Sequence, residues 1–140
     1  AVLREMAELG LEVHEPWFIP GTFSCESGAR AARAWLAMND RPTALFCSCD
    51  EIAFGFISEL NAHGVAVPHD VSVVGFDDID LSRRFIPPLT TIRQPRRMLG
   101  VLAAGFMIGR MNGELTGEET PCQALPVELG ARRGTAAPRD

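Results

Sequence analysis

The run Val71-Ser-Val-Val-Gly-Phe-Asp-Asp78 constrains this chain more than any other stretch. Val71 to Val74 carries three β-branched residues and favours a strand. Gly75 and Phe76 are expected to end it, and two carboxylates follow at once. Pro68 and Asp70 close off a helix-like segment upstream, and Pro87-Pro-Leu-Thr-Thr-Ile92 opens a new extended run downstream. A short apolar run bounded by turn signals reads as a strand buried on both faces. In open α/β sheets, ligands bind beyond the carboxyl ends of such strands. Asp77 occupies that end and is the first candidate binding residue.

The flanking segments alternate. Val2 to Leu9 reads as a helix stopped by Gly10. Val13 to Ile19 is expected to be extended, although Pro16 and Pro20 break it. Ser24 is a candidate N-cap for a helix over Glu26 to Met38, with Ala29, Ala32 and Leu36 on one face. Arg30 and Arg33 read as a solvated face. Thr43 to Cys47 is a second buried strand, Asp50 an N-cap, and Glu51 to His63 a helix stopped by Gly64. Helix and strand in alternation imply βαβ units. The expected class is α/β, with a parallel Rossmann-like sheet flanked by helices.

Beyond Asp78 the pattern changes. Residues 78–88 show no clear period, and Thr90 to Ile92 is a short strand. Pro95 suits the first position of a helix over Arg96 to Met111, ended by Asn112-Gly113. Leu115 to Thr120 reads as a polar loop, Gln123 to Leu129 as an alternating strand, and Arg132 to Asp140 as a tail. Two helices carry further information. Ala53, Phe56, Ile57 and Leu60 form one stripe, and Phe54 points about a quarter-turn away from it. Phe54 therefore either faces a partner or is covered by a neighbouring loop. On the last helix Leu99, Leu102, Ala103, Phe106 and Met107 share one side, with Val101 and Ile108 opposite. A helix apolar on most sides needs cover on most sides.

Composition narrows the function. A chain of 140 residues with 46% hydrophobic residues makes one domain or a piece of one. A net charge of −5 argues against holding nucleic acid unaided, because phosphate binding needs a basic face. Cys25, Cys47, Cys49 and Cys122 match no metal or redox spacing, and Cys47 and Cys49 read as buried reduced thiols. His14, His63 and His69 are scattered. No nucleophile–base pair, metal spacing or glycine-rich phosphate loop is present, so no enzyme chemistry, metal or cofactor is expected. Arg110 interrupts the longest apolar stretch, so no membrane span is expected. The opening residues lack the apolar core of a signal peptide and start inside a helix without an N-cap. That is the expectation for a piece of a longer chain.

Five segments taken together are specific. They are Pro42-Thr-Ala-Leu-Phe46, Asp50-Glu-Ile-Ala-Phe-Gly55, Gly64 with Val67-Pro68, Val71 to Asp78, and Pro88-Leu-Thr-Thr-Ile-Arg-Gln-Pro95. In this order and spacing the chain resembles the lactose-repressor/galactose-repressor (LacI/GalR-like) family of bacterial transcription regulators, from Met6 to Gly134. Phe46-Cys-Ser-Cys-Asp50 and Phe76-Asp-Asp-Ile-Asp80 are similar to its cytidine- and purine-repressor branch.

The resemblance implies a periplasmic-binding-protein type I-like module, with a ligand cleft between two α/β subdomains. This chain would be its C-terminal half. Residues 1–80 and 123–132 would belong to the C-terminal subdomain, and 90–113 would be the last strand and helix of the N-terminal one. Thr90 to Ile92 would then be a strand without its sheet, and the following helix is expected to be buried between chains. The implied partners are a small-molecule effector (nucleoside, purine or sugar), a second copy in a homodimer, and operator DNA through a headpiece outside this chain. The implied location is the cytoplasm.

Asp77 stands where family members grip their ligand's polar groups, whereas Asp78 is expected to cap its own turn. Phe23 stands where purine-type relatives stack an aromatic on the base, or else fills the core. Cys49 occupies a position often polar in sugar-binding relatives, which argues against a sugar. Asp50 is an N-cap or a cleft residue. Phe54 and Phe85 are implied to face the dimer partner. The alternative is a periplasmic sugar-binding protein of a transporter, but Leu89 to Pro95 favours the repressor branch.

Overall fold

The valine run lies inside the sheet. The computed structural model describes residues 2–11, 14–115 and 122–137. Four strands lie in the order β1 (Ala44–Phe46), β2 (Ser72–Asp77), β3 (Thr90–Arg93) and β4 (Glu128–Gly130). β1, β2 and β3 are parallel, with Phe46 opposite Val74 and Val74 opposite Thr90. β4 runs antiparallel to β3, Ile92 opposite Leu129. The helices are α1 (Val2–Glu8), α2 (Cys25–Ala37), α3 (Asp50–Ala62) and α4 (Arg96–Met111).

β2 continues through Gly75 and Phe76 to Asp77, past the expected stop. Gly75 is tolerated inside the strand because a Cβ there would collide with the Asp50 carboxylate and meet Leu89 Cδ2 at 2.9 Å. Burial is one-sided rather than two-sided: Val71, Val73 and Gly75 are buried, while Ser72, Val74 and Phe76 are half-buried. The buried side packs on Phe56, Ile57, Leu60 and Leu89. α2 and α3 lie against each other at two glycines. A Cβ on Gly28 would strike the Ile52 carbonyl, and one on Gly55 the Cys25 carbonyl. Both contacts join the first turn of α2 to the opening turns of α3, so the two helices start at the same edge of the sheet. Trp35 seals the far end, edge-on to Phe56 at 6.3 Å, with its indole N–H donating to the Pro42 carbonyl at 3.0 Å.

Helix ends follow local chemistry. Ser24 caps α2, its hydroxyl accepting from Ser27 N–H at 3.2 Å. α1 closes as a Schellman motif: Gly10 (φ 70°) donates to Ala7 O at 3.1 Å and Leu11 to Met6 O at 2.9 Å. α3 corrects the expectation for Asp50. Cys49 is its N-cap, without a side-chain cap bond, and Asp50 is its first residue. Pro95 likewise stands at the N-cap of α4.

Three expectations fail for physical reasons. Residues Glu15–Trp17 form a 3-10 turn rather than an extended run: Pro16 has a φ suited to the first turn, and Trp17 packs edge-on to His14 at 4.6 Å. Residue 13 lies outside the described residues, as do residues 116–120 of the expected polar loop. Thr90–Arg93 is not a strand without a sheet, because it pairs along β2. Residues 132–136 are not a tail. Gly134 O accepts from Val73 N–H at 2.7 Å, and Arg133 N–H donates to Pro88 O at 3.0 Å. Residues 138–140 lie outside the described residues.

The expected bounds of α4 match the structure. Met98, Leu99, Val101, Met107, Ile108 and Met111 on it are exposed.

The glycine contact between α2 and α3 gives a direct test. Gly55→Ala has no flexible neighbour to displace, only backbone, so the helices must separate. The expected loss is about 2–3 kcal/mol, at the upper end for overpacking. Urea unfolding within 0.5 kcal/mol of the unaltered chain (roughly the scatter of surface changes) would show that the contact is not tight.

Candidate functional site

Three aspartates lie around the carboxyl ends of β1 and β2, and their surroundings differ. Asp50 is buried, and its carboxylate is fully engaged inside the protein. It accepts from Thr91 Oγ1 and Ser82 Oγ, each at 2.5 Å, and from Ile79 N–H at 3.0 Å. This corrects the cleft role: Asp50 ties α3 to β3 and to the turn after β2. Cys49 beside it is buried as well, and its thiol is not presented to solvent. Burial, followed by the charges of Cys49 and Asp50, pushes the Cys47 thiol up to about 12. It therefore stays protonated and unreactive.

Asp78 does not cap its turn. Its side chain is 1% exposed and faces three guanidinium groups. Arg132 Nη2 donates to Oδ1 at 2.5 Å, Arg93 Nε to Oδ2 at 2.6 Å, and Arg83 Nη2 to Oδ2 at 3.4 Å. Burial by itself raises the carboxyl pKa, but the hydrogen bonds from Arg93, Arg132 and Arg83 override it and hold the group at about 2.

Asp77 is half-buried and has acceptor capacity to spare. Gln94 Nε2 donates to its Oδ1 at 2.6 Å, and a carboxylate has about four acceptor positions. Among the described residues Asp77 and Asp78 are also the non-glycine residues with positive φ, at 120° and 52°. Backbone strain of this kind persists only where the surroundings impose it, and it gathers at binding sites.

Phe23 precedes the N-cap of α2 and is 73% exposed. It does not fill the core. Since α2 and α3 begin at one edge of the sheet, Phe23 lies at the edge that carries Asp77. Sequence reasoning missed Gln94, Arg93 and Arg132. Gln94 and Arg93 fall inside the segment Pro88 to Pro95, and parallel pairing of β3 with β2 would have placed them beside Asp77 and Asp78. Arg132, in an apparent tail, gave no signal.

The implied dimer residues are also rearranged. Phe54 is 4% exposed and stacks on Phe85, ring centroids 4.6 Å apart and planes at 32°. The loop that carries Phe85 thus covers Phe54, which does not project to a partner. On the same loop Leu81 and Ile86 are exposed, Ile86 at 82%.

A hollow of about 580 Å³ extends from β1 across β2 to β3, lined by Met6, Trp17, Phe18, Phe46, Val74 and Ile92 among others. Neither Asp77 nor Phe23 lines it, and its walls are apolar, so it is not the site of the polar contacts above. Among the described residues no group of three or more His, Cys, Asp or Glu side chains could hold a metal ion, and no helix is long and apolar enough to cross a membrane.

The low pKa of Asp78 sets a pH dependence. A depressed carboxyl stabilises the fold above its unfolded value of about 3.9. That contribution fades as pH falls through its folded value of about 2. The stability gap between the unaltered chain and Asp78→Asn should be level above about pH 5 and shrink between about pH 4 and 2. Urea titrations at several pH values would check this, and a gap that stays constant into acid would remove the arginines as the cause.

Comparison with known proteins agrees with the fold. The family model described as "Periplasmic binding protein-like domain" matches residues 1–135. A protein of Photobacterium profundum named HTH-type transcriptional repressor PurR is 49% identical over 108 residues, covering 77% of this chain and 32% of that protein. The chain thus spans about a third of the length of the curated relatives it matches. Transcription regulator CcpA of Lactococcus lactis superposes with a TM-score of 0.85 at 27% identity, over 96% of this chain and 48% of that one. A transcriptional regulator CelR–cellobiose complex does so with a TM-score of 0.86 at 30% identity, over 94% and 39%. The chain belongs to the family of periplasmic-binding-protein-like domains, in the form found in LacI-type repressors.

Proposed function

We propose that this chain is the effector-sensing and dimerisation part of a bacterial DNA-binding transcriptional regulator, and that its effector is a nucleoside or a purine base. The observation that carries the reading is the placement of a half-buried Asp77 and an exposed Phe23 toward the same edge of the sheet. Asp77 is a half-buried acid with unused acceptor positions, suited to the N–H groups of a base or the hydroxyls of a ribose. Phe23 is an exposed ring, and a stacked base gains roughly 1–3 kcal/mol from such a platform. Similarity to PurR repressors supports the purine class. A sugar is the second reading, favoured by the cellobiose in the CelR complex. The protein works in the cytoplasm and is not an enzyme. It meets operator DNA through a headpiece outside this chain, because a charge of −5 leaves these residues unsuited to phosphate.

In this reading Arg96–Met111 belongs to the second subdomain of the module, whereas β3 stays in the sheet it pairs with here. The two-fold partner docks on the loop of Phe85, through exposed Leu81 and Ile86 rather than through Phe54. The apolar residues exposed on α4 are the support for its placement. A lone helix of this length is marginal in water.

Two measurements check the proposal. Thermal-shift screening of the full-length protein against guanine, hypoxanthine, adenosine, cytidine, ribose and cellobiose should single out a purine or nucleoside. Calorimetry should then show at least a ten-fold loss for Asp77→Ala, about 1.4 kcal/mol. Unchanged affinity would remove Asp77 from the site, and a response to sugars alone would replace the purine reading. The placement of α4 predicts that amides from Val101 to Ile108 exchange at least a hundred-fold slower in the full-length protein than in this chain. Equal rates would show that nothing outside the chain covers the helix.

A further inference from the structure

Arg93 is the last residue of β3, where the chain leaves the sheet for α4. It returns at β4, where Glu128 stands opposite Arg93, and Arg132 follows just beyond. The end of β3 and the stretch just after β4 meet on one side chain. Asp78 holds Arg93 through Oδ2 at 2.6 Å and Arg132 through Oδ1 at 2.5 Å. Its own carbonyl accepts from Arg96, the first residue of α4, at 3.5 Å. Glu128 takes a second nitrogen of Arg93 at 3.3 Å, but from an exposed position. The Asp78 carboxylate is 1% exposed and Arg132 15%, so water competes little for these bonds. Charge-assisted bonds of this length are about twice as strong as neutral ones.

Asp78 is also bonded in sequence to the candidate effector contact. The two residues have φ of 120° and 52°, so their side chains are aimed by one strained backbone segment. A turn of the peptide between them would move the Asp78 carboxylate relative to the guanidinium groups that hold it.

We propose that Asp78 is a positioning residue that transmits the state of the Asp77 site to the start of α4, through Arg93 and Arg96, and to the stretch after β4, through Arg132. The proposal rests on the effector reading for what occupies Asp77, but the link from Asp77 to these two places through Asp78 stands on the geometry. Ligand is then not required to detect it.

The test is hydrogen exchange on the full-length protein at three amides: Leu99, bonded to Pro95 O at 3.0 Å, Arg132, bonded to Thr90 Oγ1 at 3.0 Å, and Arg133, bonded to Pro88 O at 3.0 Å. Asp78→Asn should speed all three by about ten-fold more than it speeds amides within α3. Asp77→Gly frees the strained backbone and should speed the same amides several-fold, an effect that disappears when Asp78→Asn is already present. Arg93→Gln, whose side chain is 43% exposed, provides the same comparison in a variant whose fold is not at risk. An Asp77→Gly effect of equal size in both backgrounds would overturn the proposal. So would uniform acceleration that includes α3, since that is general loss of stability. Guanine added to the unaltered protein should slow the three amides. Failure of guanine to bind would count against the purine reading alone, because the ligand-free comparisons decide the link.

Discussion

The fold depends on how the carboxylate of Asp50 is satisfied. A buried carboxylate without donors costs several kcal/mol, and here three donors come from three different places. Thr91 belongs to β3, Ser82 to the turn after β2, and Ile79 to the backbone between them. Gly75 leaves room for the group against β2. One side chain at the start of α3 thereby fixes β2, β3 and their connection relative to the helix. Asp77 and Asp78 lie between these anchors, so their backbone can be held at positive φ. The strained backbone at Asp77 and Asp78 is supported by the bonds around Asp50.

The three acids divide the work by environment rather than by residue type. Asp50 meets neutral donors and serves packing. Asp78 meets arginines and ties the end of β3 to the stretch after β4. Asp77 meets one amide and retains the capacity to bind something else. Adjacent residues in sequence thus have opposite fates, and the alternation of side chains along the strand does not separate them, because positive φ at both residues ends that alternation.

Periodicity made most of the scaffold legible. The apolar stripes of α2 and α3, the valines of β2 and the full span of α4 follow from local pattern, and local pattern decides elements of this length. What stayed hidden was non-local. The end of β2 was misplaced because the need for Gly75 comes from Asp50, distant in sequence. Phe54 lies off its helix stripe and still belongs to the core, because Phe85 is folded over it. Residues 132–136 carry no strand signature, yet they close over β2 and β3 through backbone bonds and Arg132. The candidate site was half legible: Asp77 and Phe23 stood out by position, whereas Asp78 was read as a cap because two of its three arginines, Arg93 and Arg132, come from the ends of other strands.

The distribution of contacts also bears on how such a module can respond to a ligand. Inside the sheet every strand is tied by a ladder, and α2 and α3 meet backbone to backbone at glycines, so displacement there is costly. α4 follows β3 after only Gln94 and Pro95, and Arg93 at that junction is held with Arg132 by ion pairs to Asp78. A ligand can shift an equilibrium only by its differential affinity for the two states, typically one to three kcal/mol for coupled sites, about 5- to 150-fold. Energies of that size are too small to rearrange the α2–α3 contact but comparable with a few charge-assisted bonds. Movement driven from Asp77 is therefore expected at the start of α4 while the sheet stays rigid.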